Sequence, residues 1–141
     1  MTMQQAQHTL TVTVPRQGMF EITTEIEAWL GGQTVEDGLL TLFIRHTSAS
    51  LVIQENADDD VQRDMETFFT EAVPEDISRY RHTSEGSDDM PAHIKGALTQ
   101  TQISIPVAGG LMMLGTWQGI FLFEHRRVPR NREIALHLIG E

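Results

Sequence analysis

Cysteine is absent from the 141-residue chain. Disulfides and thiolate metal sites are thereby excluded, and any metal ion would have to sit on histidine, carboxylate or water. No apolar run reaches the length needed to cross a bilayer, and the opening MTMQQAQHTLTVTV lacks a basic segment followed by an apolar core. The expectation is a cytoplasmic protein. Positive charge is scarce: ten Lys and Arg face twenty Asp and Glu, a formal net charge of −10. That balance argues against a nucleic-acid surface, because phosphate backbones call for clustered cations. A G-x-S-x-G nucleophile elbow, a Walker loop and a dinucleotide fingerprint are also missing, which disfavours Ser–His–Asp hydrolysis. With no internal repeat, low-complexity segment or long linker, residues 1–141 are expected to form one domain, long enough to bury an ordinary core.

What is present reads as strands and short helices. HTLTVTV alternates apolar and polar residues and predicts a strand ended by Pro15–Gly18; MFEIT resumes one. Thr23 or Thr24 is placed to cap a helix over TEIEAWL, stopped at Gly31–Gly32. LLTLFIRH carries apolar residues on both faces and is expected to be buried on both sides, and LVIQE is a further short strand. ADDDVQRDMETFFTEAV predicts a helix with aspartates at its N-terminus and an apolar face of Val61, Met65, Phe68, Phe69 and Ala72. A second helix is predicted from Pro91 to about Leu98, with Asp88 or Asp89 as its cap. QISIPV, LMMLG, WQGIFLFEH and REIALHLIG are strands separated by turn residues. The order ββα–ββα–α–ββββ indicates an α+β domain of largely antiparallel strands, sandwich-like, with helices to one side. Trp117 is expected in the core.

The polar residues concentrate in particular places. His46, His82, His93 and His125 all lie at segment ends, where a scaffold displays reactive groups. Three imidazoles with an open position would make a cysteine-free zinc site. His82 and His93 are too far apart for one helical face and converge only if GSDDMP folds back, which Gly86 and Pro91 permit. Arg126, Arg127, Arg130 and Arg132 form a basic cluster suited to a small anion, or else to pairing with acidic residues of this or a neighbouring subunit. Glu124, at a strand end, is either ion-paired with an arginine or functional. The hydroxyls of Thr47, Ser48 and Thr116 read as hydrogen-bond donors to a ligand or to backbone.

The blocks HTSASLVIQENAD, EGSDDMPAHIKGAL and LGTWQGIFLFEHRRVPRNREI resemble the signature blocks of the YjbQ family, over nearly the whole chain. The resemblance implies a compact β-sandwich with flanking helices, assembled as a homotrimer, and a histidine-rich site able to hold zinc or magnesium. It makes His82, His93 and His125 the metal candidates. His46, Glu85, Asp88 and Glu124 become candidate catalytic groups. Thr47, Ser48, Thr116, Gln118, Arg126 and Arg130 become candidates for holding a phosphorylated substrate. Two departures are visible, Asp89 and Gln54, where family members commonly carry Asn. The implied activity is that of a secondary thiamine-phosphate synthase, joining a hydroxymethylpyrimidine diphosphate to a thiazole phosphate with release of pyrophosphate. The residues alone also fit a metal-dependent enzyme on another small anion, or a non-catalytic trimer that binds a metal or anion.

Overall fold

The computed structural model describes residues 2–141, arranged as two antiparallel sheets that bury a shared core. The chain runs β1 (Gln4–Val14), β2 (Gly18–Glu21), α1 (Thr23–Leu30), β3 (Gly38–Ile44), β4 (Ala49–Glu55) and α2 (Asp59–Ala72). It continues through α3 (Asp89–Leu98), β5 (Gln102–Ala108), β6 (Leu111–Met112), β7 (Gln118–Glu124) and β8 (Arg130–Gly140), with a short 3-10 turn at Ile77–Arg79. The expected order of elements is the order found, and the fold class is α+β. One sheet has the strand order β1-β8-β3-β5-β6 and the other β2-β7-β4.

Alternation builds the core. Leu40, Leu42 and Ile44 of β3 point inward beside Ile103 and Ile105 of β5 and Ile134, Leu136 and Leu138 of β8. They meet Leu51 of β4, Ile120 and Leu122 of β7, Ile22 just before α1, and Ile26 and Leu30 along it.

The opposite face of β3 departs from the expectation of double burial: Leu39 is 41% exposed and Phe43 46%. The strand buried on both faces is β7, whose residues from Gly119 to Glu124 are all buried. The reason is the placement of α2. Its Met65 and Phe69 pack on Met19, Phe121 and Phe123, covering the outer face of the three-stranded sheet. The cap of α2 is Asp58, whose Oδ1 accepts from Asp60 N at 2.9 Å. Only part of the expected apolar face is used, since Phe68 and Ala72 are exposed. Trp117 is also exposed rather than in the core. In α1 the cap position falls on Ile22, and Thr23 Oγ1 instead donates to Glu21 Oε2 while accepting from Ile120 N.

Candidate metal centre

The loop between the 3-10 turn and α3 folds back as GSDDMP requires, through Gly86 at φ 108°, a left-handed conformation that glycine adopts without a Cβ penalty. The fold-back carries His82 over the first turn of α3, where its ring centroid lies 5.6 Å from that of His93. Asp89 completes the group: one ligand atom each from His82, Asp89 and His93 lie within 4.8 Å of one another. Asp89 and His93 are four residues apart on α3 and share its face. Asp89 Oδ2 is 2.7 Å from His82 Nε2 and 3.3 Å from His93 Nε2.

Each member is braced from behind. His93 Nδ1 lies 3.1 Å from the carbonyl oxygen of Thr47. A carbonyl only accepts, so Nδ1 carries the ring proton and Nε2 of the neutral ring keeps its lone pair. The approach is close because Gly96, one turn further along α3, has no Cβ; a Cβ there would lie 3.1 Å from the same Thr47 oxygen. Asp89 Oδ1 accepts from Arg126 Nη1 at 2.7 Å. Arg126 also donates from Nε to Asp88 Oδ2 at 3.0 Å and from Nη2 to the Glu85 carbonyl at 2.8 Å, tying the loop to the start of α3. Burial alone would raise the Asp89 carboxyl, but the His82 hydrogen bond and the charges of His93 and Arg126 hold it below the ordinary carboxylate range. For Asp88 burial again opposes, and the Arg127 backbone N–H with the Arg126 guanidinium prevails, so it too is lowered. The Asp88 side chain thus holds arginines and makes no hydrogen bond as a cap, although its position is the cap of α3.

His125 does not join His82 and His93. It lies at the end of β7, 1% exposed, with Nε2 2.9 Å from Ser50 Oγ and its ring against Phe123. Burial, then the charges of Lys95 and Arg132, lower its pKa from 6.5 to about 3. His46 is near the triad without belonging to it: it shares a groove with His93, Thr47 and Gly96, and its Nε2 accepts from Glu133 N at 2.8 Å. Burial and Arg132 lower its pKa. The Glu85 side chain is exposed.

The candidate phosphate-holding residues are largely spent or elsewhere. Glu124 is fully enclosed and bidentate with Arg132, at 2.7 Å from Nε and 2.6 Å from Nη2, and accepts from two backbone N–H groups. Pairing therefore accounts for it. Ser48 Oγ accepts from Arg132 Nη2 at 2.9 Å, and Thr47 contributes its carbonyl to His93. Arg127 is bound to Glu75 and Ser87, and Arg130 Nε donates to the Val128 carbonyl. Of the two readings of the basic cluster, in-chain pairing is the one observed for Arg126, Arg127 and Arg132. Thr116 and Gln118 stand at the opposite end of β7 from Glu124, about 20 Å away along an extended strand. Gln118 Oε1 there accepts from Gly115 N.

Two residues are not singled out by the sequence for the roles they have here: it marks Asp89 as a helix cap and a departure from the family pattern, and it passes over Lys95. Asp89 was legible in principle as the carboxylate of an Asp-x-x-x-His spacing opening a helix. Lys95 is the one lysine in the chain, and it is 5% exposed. Lysine is seldom so deeply buried.

Known proteins resemble this chain in sequence and in fold. The UPF0047 protein YjbQ-like family profile matches residues 8–141. A UPF0047 protein of Synechocystis is 50% identical over 140 residues, covering 99% of this chain and 95% of its own. The UPF0047 protein YjbQ of Salmonella typhimurium is 46% identical over 136 residues, covering 96% and 98%. Among solved structures, a conserved hypothetical protein from Thermus thermophilus superposes with a TM-score of 0.81 at 36% identity, covering 92% of this chain and 97% of its own. A YbjQ-like protein of unknown function from Sulfolobus solfataricus gives a TM-score of 0.90 at 24% identity, covering 99% and 100%, a likeness of fold. By sequence over nearly its full length, the chain belongs to the YjbQ/UPF0047 family.

Proposed function

We propose that the protein is an enzyme of the secondary thiamine-phosphate synthase type, working with a divalent cation held by His82, Asp89 and His93. The observation that carries this reading is the convergence of three ligand atoms within 4.8 Å. Two imidazoles and a carboxylate suit zinc better than magnesium, which favours oxygen ligands. Thr47 fixes the His93 tautomer that leaves Nε2 free to ligate, and Arg126 occupies the Asp89 oxygen that faces away from the imidazoles. When bound, the cation would supply Lewis-acid stabilisation of the departing pyrophosphate. The chain's own part is to position: the groove of about 250 Å³ between His46, Thr47, His93, Gly96 and Thr101 offers room for a ring beside the triad. The choice of reaction rests on the family resemblance.

A second reading has its own support. Arg126, Arg127 and Arg132 are committed to carboxylates of the same chain, which leaves the cation as the main anion-binding group and fits a metal-dependent enzyme on another small anionic substrate. In either case we place the protein in the cytoplasm as a homotrimer. The exposed apolar residues Leu39, Phe43 and Ile139 on the outer face of the five-stranded sheet support self-association.

The test is to restore zinc or magnesium to purified protein, supply the two phosphorylated precursors and follow thiamine phosphate. The expected result is product formation that His82→Ala and His93→Ala abolish. Product at background level with either metal overturns the synthase reading, and faster turnover of a different phosphate ester favours the second.

A further inference from the structure

The three-stranded sheet ends on β4, which pairs with β7 on one side and meets only an isolated bridge from Gln100 on the other. Beside that edge a groove of about 400 Å³ runs between α2 and the turn from α3 into β5. Val52, Ile53, Met65, Phe69 and Leu98 line it, and none of its lining side chains is charged. The groove is at the far end of α3 from the triad: Asp89 and Leu98 are the two ends of that helix, roughly 13 Å apart.

Along an antiparallel edge every second residue turns its N–H and C=O outward. Leu51 gives its N–H to the Gln100 carbonyl at 2.7 Å. At Glu55 the N–H goes to Gln54 Oε1 at 2.9 Å, and the C=O accepts from Gln62 Nε2 at 2.6 Å. Between them stands Ile53. Its ladder partner Ile120 accepts from Ile22 N and gives its own N–H to Thr23 Oγ1, both on the β2 side. The two residues therefore exchange no hydrogen bond, and Ile53 turns its N–H and C=O away from β7. Among the described residues neither group has a partner. The Ile53 side chain packs against the core, so the backbone is what this residue offers the groove.

One free donor and one free acceptor lie side by side, with bound neighbours on either hand. A strand from another chain would need the outward groups of Leu51 and Glu55 as well, and these are already engaged. A single flat molecule needs only the one pair. Val52, Met65, Phe69 and Leu98 supply an apolar surface for its ring, the usual make-up of a small-molecule site with a few placed polar groups. The absence of a countercharge selects for a neutral ligand. The volume is ample for two fused rings.

We propose that this groove binds a neutral amino-substituted purine base against the edge of β4. The amino N–H donates to the Ile53 carbonyl, and the adjacent ring nitrogen accepts from the Ile53 N–H. A phosphorylated form is disfavoured, because no cation lines the groove and α2 beside it is rich in aspartate and glutamate. No bond is made or broken and no metal is needed. The site therefore stands or falls separately from the reaction assigned to the triad.

The experiment titrates the full isotope-labelled chain with adenine and follows the backbone amides by magnetic resonance. The expected result is a saturable downfield movement of the Ile53 amide, with those of His82, Asp89 and His93 unmoved. A purine carrying methyl in place of the amino group keeps the shape and loses the donor. It is expected to bind about tenfold more weakly, the cost of one hydrogen bond left unmade. Leu98 is exposed at the rim, and Leu98→Trp is expected to close the groove and weaken adenine by a similar factor; its amide spectrum checks that it is folded. An Ile53 amide that adenine leaves in place overturns the proposal. So does equal binding of the methyl compound, or adenine binding to Leu98→Trp as tightly as to the parent chain.

Discussion

Arg126 Nη1 donates to Asp89 Oδ1 at 2.7 Å, and this single contact leaves Oδ2 as the oxygen that His82 and His93 both approach. Arg126 is thus a positioning residue for the triad. Arg126→Met frees the carboxylate to rotate and removes the tie to Asp88 and Glu85. The expected outcome is a zinc affinity weakened about 10- to 100-fold, the usual cost of losing such a partner, read by titration calorimetry on folded protein. An unchanged affinity would show that the carboxylate needs no such support.

Gly96 governs the other brace. Alanine there brings a Cβ to 3.1 Å from the Thr47 carbonyl, so the loop after β3 must move by a few tenths of an ångström. Gly96→Ala is expected to lengthen the His93 Nδ1 to Thr47 bond and to lower metal affinity while leaving thermal stability nearly intact. A helix alanine is itself favoured over glycine by about 1 kcal/mol. Equal affinity in the variant counts against the Thr47 contact as the fixer of His93.

The Glu124–Arg132 pair supports the end of β7 and the loop of Ser48 together. Removing one partner strands a buried charge, so Arg132→Met is expected to destabilise the fold by about 3–5 kcal/mol. The double change Glu124→Gln with Arg132→Met is expected to be milder than either single loss. Urea unfolding of the set provides the comparison, and a double variant worse than both singles would contradict it.

Stability should fall on acidification through the range set by His125. Its pKa is 6.5 when unfolded and about 3 when folded, so between those values the unfolded chain binds a proton the folded chain refuses. Stability therefore rises with pH across that window, with a slope from this residue of at most about 1.4 kcal/mol per pH unit. Asp88 and Asp89, held low, add their own loss only as pH drops through the carboxylate range. His125→Asn is expected to flatten the slope between pH 6 and 4, in thermal melts, within about 1 kcal/mol per pH unit; an unaltered slope would assign the effect to other groups.

Much of the fold was legible because its signals are local. Alternation in HTLTVTV, QISIPV and REIALHLIG gives strands, and the three aspartates that open ADDDVQRDMETFFTEAV, with its helical apolar period, give α2. The element order followed from these without any long-range information. The outer faces were not legible. Phe43 and Phe68 look like core residues by type, but whether a face is covered depends on where α2 docks, and it docks on β7.

The candidate site divides along the same line. The sequence by itself determined that any metal would rest on histidine and carboxylate, that His82 and His93 flank a turn able to reverse, and that a helix follows with Asp88 or Asp89 as its cap. Its start at Asp89 rather than Pro91 came from the structure. Only the tertiary structure decided which third group meets the two imidazoles. It chose Asp89, one helical turn from His93, and sent His125 into the interior beside Ser50 and Lys95. The physical reason is burial: β7 runs through the core under α2, so a ring at its end finds partners inside, while the first turn of α3 faces the returning loop.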